Sequence, residues 1–97
     1  MAKEKKDAPF NTPEVLARIH KATGQCQGIE RMVKAGRPVE SILLQVSATR
    51  SALQRLGQAL LEQHIAQNVT DGVEGKLTTE ATLKNLAQAV DYFCRSK

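Results

Sequence analysis

The sequence predicts an all-α fold, and three observations carry that reading. Of its 97 residues 41% are hydrophobic but only 3% aromatic, with no Trp, so the core must be aliphatic. Six Gly and three Pro are too few for a turn-rich β-sandwich. Apolar residues recur at alternating steps of three and four, with no period-two stretch and no longer internal repeat. A chain of this size builds one compact domain and leaves no room for a two-domain enzyme.

The first eleven residues contain Lys3, Lys5 and Lys6 and lack apolar periodicity, so they read as a basic arm ahead of a single helical domain over 12–97. Thr12-Pro13-Glu14 then supplies a hydroxyl cap, a proline suited to the first helical position and an acid near the positive end of the helix dipole. From Val15 through Ile19, Ala22, Cys26 and Ile29 to Val33 an apolar seam runs to the stop signal at Gly36, which predicts a helix over about 13–35. Gly24 and Gly28 each cost about 1 kcal/mol relative to Ala inside it, which implies close packing at that point.

Pro38 can open a second helix. Val39, Ile42, Val46, Thr49, Leu53, Leu56, Leu60 and His64 keep the same rhythm until Thr70-Asp71-Gly72, so the helix is expected over about 38–69. At 1.5 Å per residue it would be about 48 Å long. A globule of this size is only about 32 Å across. One copy cannot cover such a seam, so antiparallel self-pairing into a dimer or higher assembly is expected. Thr78-Thr79-Glu80 opens a third, shorter helix over about 79–95, with Leu83, Leu86, Val90 and Phe93 on its apolar face.

Charge is unevenly distributed. Residues 1–55 contain ten Lys and Arg against five acids, and the remainder four against five. A positive end of this kind favours a polyanion, and Arg18, Lys21, Arg50 and the arm lysines are its candidate contacts. Arg50 falls at the edge of the second seam, where it should meet an acid, a carbonyl cluster or a phosphate. An acidic protein docked on a helical oligomer would satisfy the same asymmetry. With so few aromatics there is no platform for stacking single-stranded nucleic acid, and no helix-turn-helix is recognisable, so broad phosphate engagement of duplex is expected.

Catalytic constellations are absent: there is no Gly-rich phosphate loop, no GxSxG, no HExxH and no paired His. The protein therefore reads as a non-enzyme requiring no cofactor. His64 lies in the second seam with Asn68 one turn on, and most residues so placed are packing residues; it is also the one metal-ligand candidate. Cys26 and Cys94 have neither zinc-ribbon nor CxxC spacing. They read as buried small hydrophobes, or as a thiol sensor, for which Cys94 beside Arg95 and Lys97 is the better placed. The N-terminal stretch lacks the apolar run of a signal peptide, and no segment approaches membrane-span length, so a cytoplasmic protein without membrane contact is expected.

Several segments together resemble a known family: Arg18-Ile19 followed by Thr23-Gly24-Gln25-Cys26-Gln27-Gly28-Ile29-Glu30-Arg31-Met32, then Gly36-Arg37, then the run from Ile42 to Leu53, then Leu60-Leu61-Glu62 and His64-Ile65. Over about residues 12–93 the chain resembles the copper-sensitive operon repressors, whose relatives respond to nickel and cobalt, formaldehyde or persulfide. The resemblance implies a three-helix protomer, a four-helix dimer core, a tetramer, and repression by binding double-stranded operator DNA through basic surfaces. It implies DNA-contact or allosteric roles for Arg18 and Arg50. It also places the inducer site at Val39, His64 and Asn68, where the copper branch has cysteine, histidine and cysteine. Pro38 stands where that branch has a tyrosine. An aliphatic side chain cannot ligate Cu(I) and an amide is a poor ligand for it, so Cu(I) binding is not expected and the inducer response should be atypical or absent. Two sensing routes stay open: a thiol signal through Cys26 or Cys94, or a metal held by His64 with unidentified ligands.

Overall fold

A computed structural model describes residues 10–95, in the order α1 (Thr12–Lys34), α2 (Val39–Val73) and α3 (Thr79–Arg95). Among the described residues there is no strand. The described residues divide into two units, one of residues 13–56 and one joining residues 10–12 to residues 57–95.

The N-terminal unit is a helical hairpin of α1 and the first half of α2. Its connection is set by Gly36, which has φ +67°. Gly36 N donates to Val33 O at 3.1 Å and Arg37 N to Met32 O at 3.0 Å, the paired bonds of a Schellman cap. Pro38 O then accepts from Ser41 N at 3.0 Å and Ile42 N at 3.2 Å, launching α2. Val15, Ala22, Thr49 and Ala52 are buried here. No large side chain is among the residues buried here. The Thr49 hydroxyl, which burial would otherwise leave unpaired, donates to Gln45 O at 2.8 Å.

In the C-terminal unit the second half of α2 meets α3. Gly57 gives room to the Phe93 ring, whose Cε1 lies 3.6 Å from where a Cβ would project. At the other end Gly72 sits against Thr82, and a Cβ there would come within 2.8 Å of Thr82 Oγ1. That hydroxyl donates to Thr78 O at 2.9 Å, while Thr78 Oγ1 caps α3 by accepting from Ala81 N at 3.0 Å. Asn11 N donates to Gln63 Oε1 of α2.

Several expectations are corrected. Helix α1 begins at Thr12, one residue early. Helix α2 continues to Val73 beyond the expected end near 69, because Gly72 stays helical and the stop is Gly75, at φ +81°, with Lys76 N bonded to Asp71 O at 2.8 Å. Gly24 and Gly28 are not points of close packing within the unit: a Cβ on Gly24 would meet nothing within 4 Å. Cys26 and Cys94 are exposed, not buried. The second seam, as its length implied, is only partly covered by its own chain: Thr49 is buried, but Val39, Val46, Leu53 and His64 are exposed. The inward register of α2 instead passes through Ala52, Ala59 and Asn68, since alanines let the neighbouring helix come closer than the branched residues beside them.

Candidate functional site

The C-terminal unit contains a hydrogen-bonded chain across α2 and α3. Asn85 Nδ2 donates to Asn68 Oδ1 at 3.4 Å, and Asn68 Nδ2 lies 3.3 Å from His64 Nε2. With its oxygen engaged by Asn85, Asn68 meets the imidazole through its NH2, which can donate only if Nε2 is unprotonated and the ring proton sits on Nδ1. Asn68 is 4% exposed, so this amide must be satisfied where it sits. His64 is exposed and opens onto a cavity of about 600 Å³ also lined by Leu60, Leu61, Asn85, Gln88 and Phe93.

Val39, the first residue of α2, is 66% exposed in the N-terminal unit. The predicted inducer positions are thus divided: His64 and Asn68 are brought together as neighbours one turn apart, and Val39 opens the helix 25 residues earlier. Among the described residues no group of three or more His, Cys, Asp and Glu could hold a metal ion. The donor set does not fit Cu(I), since it offers one imidazole, already facing an amide, and no thiolate.

The predicted cations behave differently from one another. Arg18 is half-buried, pairs with Glu14 at 3.4 Å, and has a buried Nε with no hydrogen-bond partner. Lys21 and Arg50 are exposed and have no ion-pair partner among the described residues, so Arg50 meets neither of the protein groups expected for it. Lys3, Lys5 and Lys6 lie outside the described residues. Sequence reasoning missed Arg31, Arg37 and Arg55, which are also exposed without an ion-pair partner among the described residues. The signal was available in the spacing: Glu30 stands four before Lys34 and pairs with it at 3.2 Å, which leaves Arg31 unmatched. At the far end Arg95 is tied to Asp91 at 3.1 Å, so its charge is already answered beside Cys94.

Charge follows the division into units. Residues 13–56 contain seven Lys and Arg against three acids; residues 57–95 contain Lys76, Lys84 and Arg95 against five acids.

Residues 11–92 match the family of metal-sensitive transcriptional repressors. The chain belongs to that family. Members are transcriptional regulators, not enzymes. Within the family it is 32% identical over 80 residues to the copper-sensing transcriptional repressor RicR of Mycobacterium tuberculosis, an alignment that covers 81% of this chain and 83% of that one. It is 33% identical over 61 residues to the copper-sensing transcriptional repressor CsoR of Bacillus subtilis, covering 63% of this chain and 60% of the relative. Among solved structures, the nickel-responsive transcriptional regulator InrS superposes with a TM-score of 0.80 at 28% identity, over 89% of this chain and 96% of that one. The three-helix repressor fold is therefore shared with sensors of two different metals. None of the described helices is long and apolar enough to cross a membrane.

Proposed function

We propose that this repressor binds double-stranded operator DNA as a homo-oligomer, through the N-terminal arm and the cations of residues 13–56, and that its inducer site does not take Cu(I). The observation that carries the DNA reading is the set of exposed, unpaired cations, Lys21 and Arg50 among them, in a unit with a strong basic excess. Such cations can neutralise phosphates without first breaking an ion pair. Arg18 differs: its stem is half-buried and its charge shared with Glu14, which suits a positioning role for the helix face.

The assembly is supported by apolar surface. In the N-terminal unit Leu16, Ile19, Val39, Leu43, Leu44, Val46 and Leu53 are all more than a third exposed. A hairpin with this much uncovered aliphatic surface reaches a stable state by pairing with a second copy, and a dimer of dimers closes the symmetry. The inducer position is supported as atypical by Asn68, whose buried amide occupies His64 in place of a thiolate. We place the protein in the cytoplasm, where operator DNA is.

A second reading has one observation behind it. Cys26 and Cys94 are exposed free thiols, so an oxidant or electrophile reaching either is a candidate signal in place of a metal.

The test is fluorescence anisotropy with duplex from upstream of the protein's own gene against random duplex at matched salt, repeated with Cu(I), Ni(II), formaldehyde, persulfide and oxidant. Preference for the upstream duplex without release by Cu(I) is expected. Equal binding to both duplexes overturns the repressor reading, and release by Cu(I) overturns the atypical site. Oxidant release lost in Cys26→Ala or Cys94→Ala selects the thiol reading.

A further inference from the structure

We propose that the face of α1 bearing Gly24 and Gly28 forms a phosphoryl-binding groove, clamped by Lys21 and Arg31 with Arg37 and His20 beside them. These residues line one concavity of about 690 Å³ in the N-terminal unit, together with Gln25 and with Gln45 from α2. Its lining contains no acid.

The arrangement follows from helix geometry. Lys21, Gly24, Gly28 and Arg31 stand at spacings of three, four and three, which puts them on one stripe of α1. Two cations about 15 Å apart along the axis thus bracket a stretch with no side chains. The Arg31 guanidinium leans back over that stretch: its Nη2 lies 3.7 Å from where a Cβ on Gly28 would sit. Long helical side chains point toward the N-terminus, so this posture brings the Arg31 charge toward Lys21.

Charge accounting isolates the same residues. The acids of α1 are committed elsewhere, Glu14 to Arg18 at 3.4 Å and Glu30 to Lys34 at 3.2 Å, leaving Lys21 and Arg31 unanswered. Independently, Gln25 Oε1 is buried in this lining without a hydrogen-bond partner. That unmet acceptor marks a polar position in the lining that the chain's own groups leave unsatisfied. A groove with three unpaired cations, a histidine and an orphaned amide, and with no counter-charge of its own, is built for a compact polyanion.

Phosphoryl oxygens reach such a groove from the sugar-phosphate backbone of duplex or from a free phosphate ester; the recognition chemistry is the same. The backbone source rests on the repressor reading above, and the free source does not. The experiment is titration of the full-length protein with inorganic pyrophosphate by calorimetry at constant ionic strength, alongside upstream-duplex anisotropy across a salt series. Wild type is compared with Arg31→Gln, Lys21→Gln and Gly24→Leu, and with Lys84→Gln on α3 as control. Gly24→Leu is informative because it fills the groove while every charge stays, and nothing lies within 4 Å of the new Cβ to obstruct folding.

Saturable pyrophosphate binding, weakened about tenfold or more by each groove variant and unchanged by the control, is the expected result. If the groove variants also weaken duplex binding, with a log–log salt slope lower by about 0.9 for each charge variant, the backbone is the source. If duplex binding holds while pyrophosphate binding is lost, the source is a free phosphate ester. No saturable pyrophosphate binding to wild type, or equal loss in the control, overturns the groove. Because the pyrophosphate arm involves no DNA, failure of the repressor reading would leave it standing.

Discussion

Asn85 on α3 reaches across to Asn68 on α2, its Nδ2 donating to the Asn68 oxygen over 3.4 Å. The contact spans 17 residues of sequence and orients the Asn68 amide so that its nitrogen faces His64 at 3.3 Å. A pair of amides therefore decides which atom is offered to the imidazole, and an imidazole nitrogen that accepts from an amide is not available to a metal without losing that bond. At the position where the resemblance puts a copper-branch cysteine, Asn68 is part of the packing between helices.

Removing the amide should expose that structural role. Asn68→Ala is expected to destabilise the protein by about 1–3 kcal/mol, since it leaves buried polar partners unpaired and opens a small void. Urea unfolding at one fixed protein concentration measures it. In a double-mutant cycle with Asn85→Ala the two losses should be less than additive; full additivity would mean the amides do not interact.

Restoring soft donors should restore copper chemistry. The variant Val39→Cys with Asn68→Cys supplies thiolates at the two positions where the resemblance puts the copper branch's cysteines, and with His64 these make a donor set suited to Cu(I). Competition against a Cu(I) chelator is expected for the double variant and not for wild type. Competition by wild type would contradict the fit argued above.

Cations that are already paired should matter less for DNA than those that are not. Neutralising Arg50 should lower the log–log salt slope of duplex binding by about 0.9, the value for one phosphate contact. Lys34→Gln, which removes a cation already held by Glu30, should change it much less. Equal effects from both would indicate diffuse attraction in place of defined contacts.

Gly72 has a steric prediction attached. Alanine there would bring a Cβ to 2.8 Å from Thr82 Oγ1, and that hydroxyl is held by its bond to Thr78 O. Overpacking of this kind costs about 1–3 kcal/mol, more than the helix-propensity gain of about 1 kcal/mol. Thermal unfolding should show a lowered midpoint for Gly72→Ala, with recovery when Thr82→Ala is added. A midpoint unchanged or raised in the single variant would place the clash elsewhere.

Leu53 tests the assembly. It is 50% exposed on a helix face that carries other uncovered aliphatic residues. Placing a carboxylate at that point by Leu53→Glu should shift sedimentation toward smaller species, because burying an unpaired charge at an interface is costly. An unchanged sedimentation profile would remove this face from the oligomer contact.

The order and type of the elements lay in the sequence itself. Thr12-Pro13, Gly36 and Thr78-Thr79 are local signals whose physics acts within a few residues, and the three-four rhythm of aliphatic residues is a property of the helix alone. Family membership was legible for the same reason, since its motifs are runs of neighbouring residues. What lay beyond the sequence was everything that depends on a second element. The stop at Gly75 in place of Gly72 leaves the earlier glycine inside the helix and against Thr82 of α3, a neighbour that no local signal announces. Cys26 lies on the same seam as the buried Val15 and Ala22 and is nevertheless exposed, so how far along that seam the cover extends was settled by helix packing. The pairing of Asn68 with Asn85 was decided by helix packing, because hydrogen bonds between residues far apart in sequence exist only after the backbone has brought them within reach. Lys21 and Arg31 gained their groove in the same way: spacing put them on one stripe, but only the fold gave that stripe concave walls and left it without an acid.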